Sequence, residues 1–254
     1  MAGTFYPADA GSLASTVDGL LGHAAAGRQP GGQPAALIVP HAGYRYSGLV
    51  AAQAYARLRG PAGVGRILLL GPSHFVPIVG LAGPAADAWR SPLGDVPIDH
   101  AARELAALPA DDRPHAREHS LEVQLPFLQR VFGGSRPAVL PVAVGRSAPT
   151  LTSDAIERLL TAGDLLVIVS TDLSHYHDDS TARQRDARTA AAILACDPTA
   201  IGDGDACGAY ALRGLLAWAA RHAAQVRQLD LRTSADAGGD PGRVVGYGAF
   251  EVNR

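Results

Sequence analysis

Leu37-Ile-Val-Pro-His41-Ala-Gly-Tyr-Arg-Tyr-Ser47-Gly48 decides how this chain is read. A short apolar, β-branched run stops at Pro40 and a histidine follows at once. Two glycines and two tyrosines then lead into an alanine-rich helical pattern. A strand that delivers a polar side chain at its carboxyl end is where α/β proteins place their chemistry. The design recurs at Ile67-Leu-Leu-Leu-Gly-Pro-Ser-His74 and at Leu166-Val-Ile-Val-Ser-Thr-Asp172-Leu-Ser-His175. Three such strands predict loops that converge on one crevice.

Working outward, strands are expected at Ala35–Val39, Arg66–Leu70, Ala138–Val144 and Leu165–Val169, with short extended pieces around Ile78–Leu81. Helical spacing predicts helices at Ser12–His23, Gly48–Leu58 (capped by Ser47), Asp99–Leu108 (capped by Asp99), Thr152–Leu160, Arg183–Ala195 and Cys207–Ala223. The pattern from His119 to Val131 contains Pro126, which predicts a kink or a restart. Loops are expected over 27–34 and 60–65. Val226–Arg232 and Arg243–Val252 alternate as a closing antiparallel pair, joined by a flexible loop at Ser234–Gly242. With no internal repeat and no Pro/Ser linker, one α/β domain over residues 1–254 with a mixed sheet is the economical reading.

Composition excludes several classes. A chain of 254 residues, 47% hydrophobic and 18% charged, buries a substantial core and is not disordered. Net charge is −2 without runs of like sign, so nucleic acid and anionic membranes have no electrostatic footprint here. No apolar run reaches bilayer length, and the first residues lack a secretory pattern. Two cysteines do not make a disulfide framework. The expectation is a cytoplasmic protein. All positive side-chain charge is arginine, which fits a GC-rich bacterial coding bias.

The chemistry rests on few residues. His41 and His74 follow successive strands directly, and neutral imidazole is the commonest protein ligand for a transition metal. The competing reading for each is a loop histidine on a backbone carbonyl. Cys207 is a candidate third ligand, because a helix N-terminus favours thiolate; the alternative is burial as a small apolar residue. Asp172 and His175 are three apart, so a helical first turn puts them on one face, the carboxylate orienting a general base. The alternative is that Asp172 caps a turn. His119 and Glu122 form another same-face pair, with Glu122 orienting His119. Tyr44, Tyr247 and Ser73 lie near these loops and either line a pocket or pack. Neither a Walker A loop, a GxGxxG loop nor a GxSxG elbow is present.

Several segments, in order along the chain, resemble the Memo-like family. That family includes the AmmeMemoRadiSam system protein B of bacteria and archaea and the eukaryotic mediator of ErbB2-driven cell motility. The segments are Ala2-Gly-Thr-Phe-Tyr-Pro7, Pro40-His-Ala-Gly-Tyr44, Leu70-Gly-Pro-Ser-His74, Glu118-His-Ser-Leu-Glu-Val-Gln-Leu-Pro-Phe127, Ser170-Thr-Asp-Leu-Ser-His175, Ala206-Cys-Gly208 and Val244-Val-Gly-Tyr247. The family is similar in fold to class III extradiol ring-cleavage dioxygenases, which implies a mostly parallel central sheet with helices on both faces. The resemblance assigns His41, His74 and Cys207 as metal ligands, Cys207 standing where the dioxygenases have a glutamate. It places His175 at their acid/base histidine, with Asp172 beside it. After Gly208 the run Ala209-Tyr-Ala-Leu212 departs from the family's Arg- and Pro-containing continuation.

The expected function is a metal-dependent redox or oxygenase-type activity on a small substrate. Iron(II) or copper is the expected metal, zinc the alternative, since a thiolate softens the site. A non-catalytic module binding a peptide or small molecule, and a zinc hydrolase, are the competing readings. Radical-SAM and AMMECR-like proteins of the same system are the partners the resemblance implies.

Overall fold

The fold is described from a computed structural model, over residues 1–26, 32–58, 63–134 and 137–254. Parts of the loops expected over 27–34 and 60–65 lie outside these residues. The elements in chain order are α1 (Ala10–Ala25), β1 (Ala36–Val39), α2 (Tyr44–Tyr55), β2 (Arg66–Pro72), β3 (Leu81–Ala82), β4 (Ala88–Ser91), β5 (Gly94–Pro97), α3 (His100–Leu105), α4 (Leu125–Phe132), β6 (Ala138–Val144), α5 (Pro149–Leu160), β7 (Leu165–Ser170), β8 (His175–His177), α6 (Asp179–Leu194), α7 (Ala209–Arg221), β9 (Gln225–Thr233) and β10 (Val244–Asn253).

The central sheet runs β3-β6-β2-β7-β1-β10-β8, and β9 pairs with β10. The four middle strands β6, β2, β7 and β1 are parallel. β3 joins β6, and β10 joins β1, β8 and β9, all antiparallel. Outside this sheet β4 and β5 form a hairpin. The sheet is mixed and mostly parallel, as the α/β reading requires.

The unbroken apolar runs of the middle strands follow from burial on both faces. Successive side chains alternate sides. Ala36, Ile38, Leu68, Leu70, Val167 and Val169 pack with Ile156 of α5 and Leu212 and Trp218 of α7. Leu37, Val39, Ile67, Leu69, Leu166 and Ile168 pack with Leu13 of α1, Val50 of α2 and Phe127 of α4. A one-residue slip in any of these strands would therefore exchange two complete cores.

Two local expectations are corrected, and the restart expected at Pro126 is found. Ser47 does not cap α2: the helix starts at Tyr44 with Gly43 as its cap, and Ser47 Oγ donates to Ala42 O at 2.9 Å. The cap moves upstream because Tyr44 N–H is already held by Phe5 O at 2.8 Å. Pro126 restarts the helix, sitting at the start of α4 after a 3-10 turn at Glu122–Gln124. The segment after Thr233 holds a 3-10 turn at Ser234–Ala237 closed by a capping box between Thr233 and Asp236, so its first part is ordered by its own hydrogen bonds. Asp99 caps α3 as expected, accepting from Ala102 N at 2.8 Å.

Candidate metal centre

Register fixes the site. β7 lies between β1 and β2, with Val39 level with Ser170 and Leu70 level with Val169. The residues just beyond these ends are His41, Asp172 and His74, so three adjacent parallel strands deliver three polar side chains to one edge. The Asp172 carboxylate crosses to β1 and accepts the His41 backbone N–H at 2.7 Å.

His41, His74 and His119 form a cluster whose ligand atoms lie within 4.8 Å of one another. It is a possible histidine-based metal site. The His41 ring stands edge-on to both others, at 5.3 Å from His74 and 5.4 Å from His119 between centroids. His74 and His119 are stacked at 4.8 Å with 12° between planes, and Phe5 stacks on His119 at 4.5 Å. His119 is thus the middle ring of a column.

Proton positions follow from what each neighbour can accept. His41 Nδ1 lies 3.0 Å from Ser170 Oγ. That hydroxyl donates to the Ser120 carbonyl at 2.6 Å and accepts from Gln124 Nε2 at 2.8 Å. Gln124 is itself oriented, its Nε2 donating to Pro40 O at 2.9 Å and its Oε1 accepting from Tyr55 at 2.9 Å. Ser170 Oγ therefore receives the His41 Nδ1–H, and His41 carries its lone pair on Nε2. His74 Nδ1 donates to Glu118 Oε1 at 2.8 Å, which puts its lone pair on Nε2 as well. His175 Nδ1 donates to the Leu173 carbonyl at 2.8 Å. Three imidazoles share one tautomer, each set by an acceptor behind it, which is how proteins prepare histidines for metal or proton chemistry.

The electrostatics agree. Burial, then the neighbouring His74, brings the His41 imidazole down to about 3; burial and His41 bring His119 down to about 4. Burial works against the Glu118 carboxylate, but the His74 ring and backbone N–H and the Ser120 N–H outweigh it and hold it down at about 2. Near neutrality His41 and His119 are neutral imidazoles beside an ionised Glu118 carboxylate, a donor set suited to a cation.

Cys207 corrects an expectation. α7 begins at Ala209, with Gly208 as its cap, so the thiol precedes the helix. Burial, then the Asp172 carboxyl, pushes it well above the usual thiol range, against the lowering expected from a helix start. Desolvation outweighs the amide dipoles here. Its Sγ lies 3.2 Å from His41 Nε2, and since that nitrogen carries the lone pair, the thiol is the donor. Asp172 N–H donates to Sγ at 3.3 Å. Two such donors on one tetrahedral metal stand roughly 3.5 Å apart, so the pair fits an ion with little movement.

The remaining expectations divide. Asp172 and His175 do not share a helical face: residues 171–174 are not helical and His175 opens β8, level with Val245. Burial raises the Asp172 carboxyl, the His41 N–H opposing it. Glu122 does not orient His119; its carboxylate accepts from the Tyr6 hydroxyl. Glu118 is the orienting carboxylate, of His74 and not His119, and it also accepts the His119 and Ser120 backbone N–H groups at 3.0 and 2.9 Å. Tyr44 belongs to the core and donates to Val123 O at 2.6 Å. Ser73 Oγ turns back to Val76 O at 2.6 Å. Tyr247 is buried, its phenol raised by burial and then by Asp172. In the departing run, Tyr210 donates to Asp203 at 3.2 Å beneath Arg213.

Phe5, Glu118, Gln124 and Ser170 escaped the sequence reading. Glu118, Gln124 and Ser170 sit within or beside quoted motifs, and adjacency to His119 was the one signal for Glu118. Nothing local links Phe5 to His119.

Comparison with known proteins identifies the family. A family model described as Memo-like protein matches residues 1–251. A MEMO1 family protein of Aquifex aeolicus is 38% identical over 197 residues, covering 73% of this chain and 70% of its own. One of Methanopyrus kandleri is 32% identical over 280 aligned residues, covering 100% and 98%. The crystal structure of uncharacterized protein JW3007 from Escherichia coli K12 shares the fold, with a TM-score of 0.50 at 11% identity, over 85% of this chain and 98% of that one. On a match that runs through every site segment, the chain belongs to the Memo-like protein family.

Proposed function

We propose that the crevice is a metal-dependent redox or oxygenase-type centre acting on a small molecule, with the metal held by His41, His74 and Cys207. The observation that carries this reading is the shared tautomer: Ser170 and Glu118 occupy Nδ1 of His41 and His74, so both Nε2 lone pairs are left for a ligand. A thiol 3.2 Å from one of them supplies a third donor.

His119 is the other claimant for the third position. A metal lies in the plane of each imidazole that binds it. Two rings stacked 12° from parallel aim their lone pairs side by side instead of at one point. His41 stands at 78° to His74, an angle that lets two in-plane lone pairs meet at one point. In this reading His119, held between Phe5 and His74, lines the crevice and offers a hydrogen bond to the bound molecule.

A bound iron(II) or copper would supply Lewis-acid and one-electron chemistry, and a thiolate ligand favours the softer states. The chain's own residues do the rest. With Nδ1 fixed on Leu173 O, His175 takes or gives a proton at Nε2. Asp172 holds the His41 backbone N–H and so fixes the loop after β1. Tyr247 and Phe5 close apolar surface around the donors.

Elemental analysis of protein purified without added metal tests the centre. Stoichiometric iron or copper, lost in His41→Ala, His74→Ala and Cys207→Ala and retained in His175→Ala, is the expected outcome. Metal-free protein that binds a ligand with both histidines dispensable sinks the reading in favour of a binding module. Zinc alone with oxygen-independent turnover replaces it by a hydrolase.

A further inference from the structure

Asp186 is a buried carboxyl with no part in the centre described above. It lies within α6, 1% exposed, beneath the segment that carries His175. Its Oδ1 accepts the Ser174 backbone N–H at 2.9 Å, and its Oδ2 is buried without a hydrogen-bond partner among the described residues. Gly246 of β10 closes the other side: a Cβ there would stand 1.8 Å from Oδ2, so glycine is needed to admit the carboxyl. Gly246 also donates to Ser174 O and accepts from Leu173 N, each at 2.8 Å.

The Ser174 N–H and the Leu173 carbonyl belong to one peptide group. That peptide is trans, so its two ends point in opposite directions. The carbonyl end receives His175 Nδ1 at 2.8 Å, and the N–H end gives its proton to Asp186. Carboxyl and imidazole therefore sit at opposite ends of a single peptide dipole.

We propose that Asp186 is the positioning residue of His175, acting through the Leu173–Ser174 peptide. The carboxyl holds the peptide plane and strengthens its carbonyl as an acceptor, because linked hydrogen bonds polarise one another. The imidazole then keeps its proton on Nδ1 and presents Nε2. Burial raises the Asp186 carboxyl above the usual range, the Ser174 N–H opposing it, and either protonation state leaves Oδ1 able to accept. The orienting task expected of Asp172 thus passes to a residue eleven positions beyond His175, since Asp172 is committed to His41. The catalytic meaning rests on reading His175 as the proton-transfer group; the test below does not.

The test is side-chain ¹⁵N NMR of the full, metal-free chain above pH 8, where the two imidazole nitrogens report the tautomer. Wild type is expected in the Nδ1–H form with a slowly exchanging Ser174 amide. Asp186→Ala should speed that exchange at least tenfold and move His175 toward the Nε2–H form that an unconstrained imidazole prefers. Asp186→Asn, whose carbonyl oxygen accepts the same bond, should restore both. If Asp186→Ala does not fold, Asp186→Ser, too short to reach Ser174 N, takes its place. A His175 tautomer unchanged in the shortened variant overturns the proposal, as does failure of Asp186→Asn to restore it. Metal content is measured separately on the same variants, so loss of the metal-centre reading and loss of this one are told apart.

Discussion

Ser170 Oγ stands 3.0 Å from His41 Nδ1 and gives its own proton to the Ser120 carbonyl at 2.6 Å. That pair of contacts decides which nitrogen of His41 faces the crevice. The residue doing so lies at the end of β7, one strand away from β1, and no local pattern around His41 announces it.

Ser170→Ala should weaken metal binding. Without the acceptor, His41 is free to adopt the other tautomer and to rotate, and loss of such a partner typically costs about 10–100-fold in metal affinity. Competition against a chelator of known affinity measures it. An unchanged affinity would mean that the hydroxyl does not set the ligand.

The acid limb of stability should depend on Glu118, His41 and His119. Glu118 is held at about 2, below its ordinary 4.5. A carboxylate with a depressed folded pKa contributes stability that is present above its unfolded value and lost as pH falls toward the folded one. His41 at about 3 and His119 at about 4, both below 6.5, have the same sign, since folding favours their neutral forms. Thermal melts of the metal-free chain should therefore fall from about pH 6.5 downward to about pH 2. Glu118→Gln should flatten the part below about pH 4.5; the same slope in both proteins refutes its role.

Metal binding should release a proton if Cys207 is a ligand. Near neutrality the His41 imidazole is already neutral, whereas burial and Asp172 keep the thiol protonated. Calorimetry in buffers of different ionisation enthalpy should find about one proton released per metal, absent in Cys207→Ala. No release from wild type would transfer the third position to His119.

The stacked column gives a second discrimination. His119→Phe preserves the stack between Phe5 and His74 and should change metal affinity less than tenfold, whereas His74→Phe should abolish binding. Equal losses in both variants would show that His119 binds the ion.

Gly208→Ala should loosen the thiol's mount. A Cβ at this position would stand 2.8 Å from Thr171 Cβ and Oγ1 and 3.0 Å from Ser170 O. Thr171 Oγ1 also accepts the Gly208 N–H at 2.8 Å. Overpacking of this kind costs about 1–3 kcal/mol, read as a lower melting temperature, and it should displace Cys207 from His41 and weaken metal binding in the same variant.

How far the sequence reached can be followed residue by residue. Leu37–Val39, Ile67–Leu70 and Leu166–Val169 read as strands because both faces are buried and the apolar runs are unbroken. The position of His41 and His74 after them follows from the same runs. The hairpin of β4 and β5 and the short β8 were not legible, since strands of only three or four residues carry no periodic signal. The relation of Asp172 to His175 was misread because spacing of three means one face only on a helix, and this segment is not helical.

The sequence by itself determined the sheet, its parallel middle and the set of histidine-bearing loops at one edge, because burial pattern and chain order are local and one-dimensional. Tertiary structure alone decided which nitrogen each histidine presents, that Glu118 stands behind His74 while Glu122 turns to Tyr6 instead of His119, that the half-buried Cys207 precedes its helix, and that Asp186 reaches His175 through a peptide. These are matters of which groups meet across strands, and hydrogen-bond partners up to 166 residues apart in the chain leave no trace in local spacing.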